Sequence, residues 1–537
     1  MSKDLKRCTF AIISHPDAGK TTVTEKLIWF GGVVREAGMV KAKSGEAAKS
    51  DWMQMEQDRG ISITSSVMSY LYNERYVHLL DTPGHKDFSE DTYRTLTAVE
   101  SVLMMIDGAK GVEEQTQKLM EVCRLRDTPI VTFMNKFDRE SMETFELIDN
   151  IEKELSIQCV PMTWPIGMGV DFKGVYDIKT KKVRVFGDKK DPLNPTIIDA
   201  TDLNNPELVS YIGDTLKEQL EEDLMMIEEL IPPFNMEEYL AGIQTPVFFG
   251  SALYNFGVKE VLDMITTNAP GPRARKAKLE PFDHTANEIE IDPETEKKFS
   301  GFVFKIQANM DKKHRDRIAF LRVCSGVFER NQKIHHVRTG KDIKIATPQI
   351  FQARDREIVD KAYAGDIIGL HDSGKLQIGD TFTEGKKIMY SGIPSFAPEL
   401  FQKVALKDPL KGKHLDKGLR QLSEEGATQL FIRSATGEKM LGAVGVLQFE
   451  VVKFRLEDEY NVNADYEGTP FSGVRWVKFE NKKQEDKFKS DYSSNMLVDG
   501  KDRLCYGVKS PWDLKLCMEK NPEVKFYKNS DYIDNHH

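Results

Sequence analysis

The chain has 537 residues, of which 40% are hydrophobic and 30% charged, with a formal net charge of −10; this is a globular composition at a length that fills about three or four domains. The six cysteines, Cys8, Cys123, Cys159, Cys324, Cys505 and Cys517, show no C-x-x-C spacing, so neither a zinc site nor a disulfide framework follows and reduced thiols are expected. No apolar run approaches the ~20 residues of a membrane helix, and Met1 leads straight into the first strand without room for a signal peptide, so a cytoplasmic address and no membrane partner are expected.

The first predicted element is the apolar run Phe10-Ala11-Ile12-Ile13, followed by Ser14-His15-Pro16-Asp17-Ala18-Gly19-Lys20-Thr21 and a helical stretch from near Thr21. A strand, a loop and a helix in this order aim backbone N–H groups and a helix N-terminus at phosphate. Lys20 is expected to reach the terminal phosphates and the Thr21 hydroxyl to ligate Mg²⁺. The usual pattern opens with Gly; here Ser14 must fit its Cβ into the first turn.

Gly38 to Gly60 is polar and leads into Arg59-Gly60-Ile61-Ser62-Ile63-Thr64. A hydroxyl here that ligates Mg²⁺ only beside a γ-phosphate makes the segment a switch; Ser62 is the better placed by spacing, Thr64 the fallback. Tyr76 to Leu80 reads as a strand ending in Asp81-Thr82-Pro83-Gly84-His85. Asp81 suits an outer-sphere Mg²⁺ ligand, and Gly84 leaves its N–H open to a γ-phosphate. His85 is assigned to holding the attacking water in line, because phosphoanhydride hydrolysis needs positioning more than covalent help.

A second apolar run, Pro129 to Met134, ends in Asn135-Lys136-Phe137-Asp138. The Asp138 carboxylate can accept from the N1 and N2 donors of guanine, a pair that adenine lacks. Asn135 is expected to buttress the loop, and the Lys136 stem to lie over the base. Pro246 to Phe249 then leads into Gly250 and Ser251-Ala252-Leu253, where a backbone N–H can meet guanine O6. Five islands in this order describe a GTPase that binds GTP and GDP with Mg²⁺.

The stretch between Asp138 and Ser251 is too long for a bare loop and implies an inserted subdomain. It carries a strand-like piece at Gly174–Ile178 and an acidic amphipathic helix near Leu216–Leu230, a partner surface or simply an exposed helix face. Ala269-Pro270-Gly271-Pro272-Arg273 punctuates the end of the first domain, and a polar segment runs to about Lys298. Short alternating runs from Phe299 to about Pro394 predict a β-barrel. Ser395 onward mixes strands with helices at Leu410–Gly426 and Gly445–Glu457. The expected architecture is multidomain α/β: a P-loop GTPase domain at 1–270 with an insert at about 139–245, a β-barrel at 271–394 and an α+β domain at 395–537. Lys312-Lys313-His314-Arg315-Asp316-Arg317, flanked by Lys305 and Arg322, is the densest basic cluster; it reads either as an RNA contact or as a solvated face.

The form of these islands resembles the translational GTPases, the class of elongation factors Tu and G. His85 directly after D-T-P-G, R-G-I before the switch hydroxyl, and H-x-D-x-G-K-T in the loop carry that resemblance. It implies that Asp17 helps hold a cation near the phosphates and that Pro16 and Ile61 form an apolar gate beside the histidine. Further stretches are similar to bacterial class II peptide-chain release factors: K-S-D-W-M at 49–53, F-S-E-D-T-Y-R-T-L at 88–96, T-F-M-N-K at 132–136, G-F-V-F-K-I-Q-A-N-M-D at 301–311 and G-V-L-Q-F at 445–449. Lys86, where an acidic residue is expected, and an acidic, divergent tail after Lys478 depart from the pattern.

The resemblance implies a ribosome-stimulated GTPase, monomeric, with the ribosome and class I release factors as partners and no DNA partner. Its activity would be to promote departure of a class I factor after peptide release. That the chain stops near residue 537 speaks against the two extra domains of a translocase. Another ribosome-associated GTPase and the GTPase subunit of a metabolic enzyme are the alternatives, and the long insert weighs against the latter.

Overall fold

A computed structural model describes residues 5–32, 55–56, 62–185, 196–279, 288–308, 317–352, 355–393 and 397–528. The chain divides into two compact units: Met1–His85 with Ala98–Arg273 and Ile350–Glu357, and Lys86–Thr97 with Ala274–Gln349 and Ile358–His537.

The first unit is built on a seven-stranded sheet in the order Ser66–Tyr72, Arg75–Asp81, Lys6–Ser14, Ser101–Asp107, Ile130–Asn135, Gln244–Phe249, Gln158–Pro161. Ser66–Tyr72 runs antiparallel to its neighbour and all other pairs are parallel. Lys6–Ser14 is buried from its second residue onward, and Ser101–Asp107 and Ile130–Asn135 throughout. Strands covered on both faces read as continuous apolar runs, which is why they are visible in the sequence. Helices Lys20–Phe30 and Val258–Asn268 contribute Val23, Leu27, Val261 and Ile265 to a core shared with Phe10, Leu79 and Phe133.

The register aligns the C-terminal ends of the strands: Ile12 pairs with Asp81, Ser14 with Met105, and Asp107 with Asn135. Ligand loops in such sheets collect at that edge. Gln158–Pro161 and Gln244–Phe249 are parallel neighbours, so the chain between them must cross back over the sheet. The insert is that crossover. It holds a four-stranded antiparallel sheet that includes Gly174–Asp177 and the helix Asp214–Leu230. Trp164 Nε1 donates to Asp223 at 2.9 Å, and Arg184 pairs with Glu260 at 2.7 Å, which ties the insert to the core helix Val258–Asn268.

In the second unit, the polar segment after Arg273 contains two antiparallel strands, Arg275–Lys278 and Glu288–Ile291. The runs after Phe299 form antiparallel strands around a long hairpin, Ser300–Ala308 with Arg317–Ser325, in which every residue is buried. An eight-stranded sheet follows in the order Ala464–Glu467, Leu400–Leu406, Lys439–Ala443, Gln429–Arg433, Met496–Asp499, Leu504–Val508, Gly473–Lys478, Lys525–Tyr527. Helices Gly412–Glu424 and Val446–Tyr460 pack on it through Leu415, Leu419, Leu422, Phe449, Val452 and Leu456, giving the expected α+β arrangement.

The stretch after Lys478 supplies three of these strands and a core of its own around Phe488, Tyr506 and Cys517. Its Lys and Arg balance its Asp and Glu, so the expectation of an acidic tail is corrected. The basic cluster is corrected in part. Arg317 pairs with Asp372 at 2.8 Å and with Glu424, Lys305 pairs with Asp91 at 3.3 Å, and Arg322 donates to the Gly365 carbonyl. All three are at most 5% exposed and serve packing. Lys312–Asp316 lie outside the described residues.

Candidate functional site

The phosphate loop begins where the strand Lys6–Ser14 ends. Ser14 is the last strand residue and takes no left-handed φ, so its Cβ is accommodated; the left-handed positions fall on Asp17 (φ 66°) and Gly19 (φ 94°). Gly19 is required twice over: its φ suits glycine, and a Cβ there would lie 2.3 Å from Asn135 Nδ2. Helix Lys20–Phe30 starts immediately after it with no acidic residue in its first turn, which leaves the N–H groups and the positive end of the dipole turned to an anion.

Two other islands meet this loop directly, and a third joins it through Asn135. Lys20 Nζ lies 2.7 Å from Asp81 Oδ1, and Thr82 Oγ1 donates to Ile12 O at 2.6 Å. Gly84 lies against Pro16, whose Cα and N would be 3.5 Å from an added Cβ. Asn135 joins two loops: Nδ2 donates to Ala18 O at 2.8 Å, and Oδ1 accepts from Ala252 N–H at 2.9 Å. Lys136, held at φ 74°, donates to Asp17 O at 2.6 Å and to Asp107 Oδ2 at 2.7 Å. A non-glycine residue in that conformation persists only where its surroundings hold it.

Asp138 is half-buried and His85 partly exposed. Phe137 is fully buried and meets Phe249 edge-on at 5.2 Å, so its ring supports the loop from beneath. Ser14 Oγ, His15 Nδ1 and Ser251 Oγ, in the first and last islands, are among the buried polar atoms spread through the described residues that lack a hydrogen-bond partner, a costly state for such atoms.

Ser62 is buried, and its stretch is ordered by Glu56, whose Oε1 accepts from Ile63 N–H at 2.9 Å and Thr64 N–H at 3.2 Å. Residues 33–54, Arg59, Gly60 and Ile61, including the K-S-D-W-M stretch and one side of the expected gate, lie outside the described residues. No group of three His, Cys, Asp or Glu among the described residues could hold a metal. Mg²⁺ at a nucleotide needs no such group, because it takes one or two protein oxygens beside phosphate and water. The hydroxyls of Thr21 and Ser62 and the buried Asp81 carboxylate are oxygen donors of the right kind.

Residues 5–271 match the family described as elongation factor Tu GTP binding domain, 298–385 elongation factor G domain 2, and 390–518 the class II release factor RF3 C-terminal domain. The chain belongs to the class II release factors of the translational GTPase family. It is a GTPase. A crystal structure of a protein from Thermus thermophilus is similar in fold, with a TM-score of 0.69 at 20% identity over 89% of this chain and 71% of that one.

Three residues of this GTPase site were not anticipated. Asp107 anchors Lys136, Glu113 lies 3.3 Å from His15 Nε2, and Glu56 orders the Ser62 stretch. Asp107 had a signal, since it ends the apolar run Ser101–Asp107 as Asp81 ends its own. Glu56 and Glu113 sit in polar stretches with nothing to mark them.

Proposed function

We propose that this release factor binds GTP with Mg²⁺ at the joined islands, engages the ribosome, and promotes departure of a class I release factor after peptide release. The observation that supports the site is the junction at Asn135, where one side chain links the phosphate loop to the base-recognition segment. Ser14 to Thr21 cradle the phosphates, and Asp81-Thr82-Pro83-Gly84 face the γ-phosphate. Asn135, Lys136 and Asp138 with the Ser251-Ala252-Leu253 backbone recognise guanine, Phe137 acting from beneath. Thr21 and Ser62, with Asp81 through water, would hold Mg²⁺, whose charge would offset that of the phosphates.

His85 holds the attacking water in line. Hydrolysis releases the Ser62 segment, which lowers affinity for the ribosome; the coupling requires the two nucleotide states to bind it differently. The reading takes the chain as a cytoplasmic monomer with domains at 1–270, 271–394 and 395–537. The match of 390–518 to a release-factor domain supports this reading over a metabolic GTPase subunit.

The test is the off-rate of a labelled class I release factor from post-termination ribosomes, with and without this protein and GTP. Acceleration is expected. Ribosome-stimulated turnover without acceleration would move the activity to another ribosomal state.

A further inference from the structure

Within the first unit, residues 107–113 join the strand Ser101–Asp107 to the helix Glu114–Arg124. They form a tight turn: Gly111 N–H donates to Asp107 O at 2.9 Å, and Ala109 N–H to Asp107 Oδ1 at 3.0 Å. Asn150, on helix Thr144–Leu155, closes the turn from behind, its Oδ1 accepting from Val112 N–H at 2.9 Å. Gly111 has φ 68°, and a Cβ there would lie 2.6 Å from that same oxygen. The turn is thus fixed to its own strand and to a helix beside it.

Both ends of the turn reach the phosphate loop. At the first, Asp107 Oδ2 and Asp17 O share the Lys136 ammonium, at 2.7 and 2.6 Å. At the second, Glu113 Oε1 lies 3.3 Å from His15 Nε2. A carboxylate only accepts, so Nε2 carries the proton between them. His15 and Asp17 flank Pro16, and the turn therefore holds the loop on both sides of one residue.

Glu113 is poorly matched to its place in the helix. It is the N-cap of Glu114–Arg124, where Ser, Thr, Asp and Asn are favoured, and its side chain makes no capping bond. The carboxylate faces His15 instead, with Lys110 Nζ 3.7 Å from the same oxygen. The two side chains are 29% and 22% exposed, so water screens their contact only in part.

We propose that Glu113 is a positioning residue for nucleotide retention: by accepting from His15 it holds the start of the phosphate loop in its binding shape and slows release of GDP. A loop held in its bound form beforehand does not have to be ordered by the ligand, and a gain of this kind falls mainly on the off-rate. The inference rests on residues 14–21 as the phosphate cradle.

The experiment is stopped-flow release of a fluorescent GDP analogue from the full chain, chased with excess GDP. Glu113→Ala is expected to speed release about threefold to tenfold, the range of one intramolecular hydrogen bond. Glu113→Gln keeps an oxygen that accepts from Nε2–H and should stay within about twofold of the parent chain. His15→Ala removes the other partner and should speed release at least as much as Glu113→Ala. The double variant should be no faster than His15→Ala, because both changes break one contact. A general weakening of the helix would show neither the rescue by Gln nor this coupling.

Release within about twofold of the parent in Glu113→Ala would overturn the proposal, provided Lys20→Met loses the nucleotide. Multiplying effects in the double variant, or Glu113→Gln as fast as Glu113→Ala, would overturn it as well. Unchanged GDP binding in Lys20→Met would instead bring down the reading of the phosphate loop.

Discussion

Lys20 Nζ stands 2.7 Å from Asp81 Oδ1, with the two side chains 6% and 2% exposed. A buried ion pair is a doubtful source of stability, but removing one partner strands the other charge out of water. Lys20→Met is therefore expected to abolish GTP binding and also to cost about 3–5 kcal/mol of folding free energy. Nucleotide titration and urea unfolding check the two effects. Lost binding at unchanged stability would mean that Asp81 finds another partner.

His85→Ala should leave GTP affinity within about twofold and slow ribosome-stimulated hydrolysis about 100-fold or more, the cost of a misplaced reacting group. Quenched-flow hydrolysis beside equilibrium binding makes the comparison. Preserved turnover removes His85 from the mechanism.

Asp138→Asn exchanges an acceptor for a donor opposite guanine N1 and N2. GTP affinity should fall about 100-fold or more, since a site built to hydrogen-bond rejects a mismatched partner strongly. Xanthosine triphosphate should bind better than to the parent chain. Competition between the two nucleotides reads this directly, and an unchanged preference refutes the assignment.

Asn135→Ala removes the 2.8 Å bond to Ala18 O and the 2.9 Å bond to Ala252 N–H together. Each buried group left unpaired costs about 1–3 kcal/mol, so lower stability and weaker binding of both GDP and GTP are expected. Thermal unfolding with and without GDP measures both. Loss of one nucleotide alone would show that the two loops are not joined through this side chain.

Burial pushes the thiols of Cys8 and Cys123 up from 9.0 to about 12. Between those values the unfolded chain gives up thiol protons that the folded chain retains. Stability therefore falls as pH rises through that window. Urea midpoints at about pH 8 and about pH 10.5 should show the decline, and Cys8→Ser should make it shallower.

The nucleotide islands were legible because their backbone geometry dictates residue type. Gly19 must take φ 94°, and the strands before Asp81 and Asn135 are buried on both faces, so they read as apolar runs that stop at the site. The joining contacts were not legible. Asp107 to Lys136, Glu113 to His15 and Asp87 to Leu447 link positions from 29 to 360 apart, and no local pattern encodes which carboxylate meets which donor. The last sheet was hidden for a related reason: Met496–Asp499 and Lys525–Tyr527 are strands of four and three residues, too short to show a period. Lys305, Arg317 and Arg322 misled because charge is visible in sequence and ion pairing is not.

All six cysteines are buried and unbridged. The surface is thus silent toward maleimides, and a cysteine introduced on the outside would be the single handle for a dye. Leu125 in the first unit is 84% exposed and Leu410 in the second 93%. A donor and an acceptor fluorophore at those two positions would follow the distance between the units through a round of GTP hydrolysis, with every native thiol left in place.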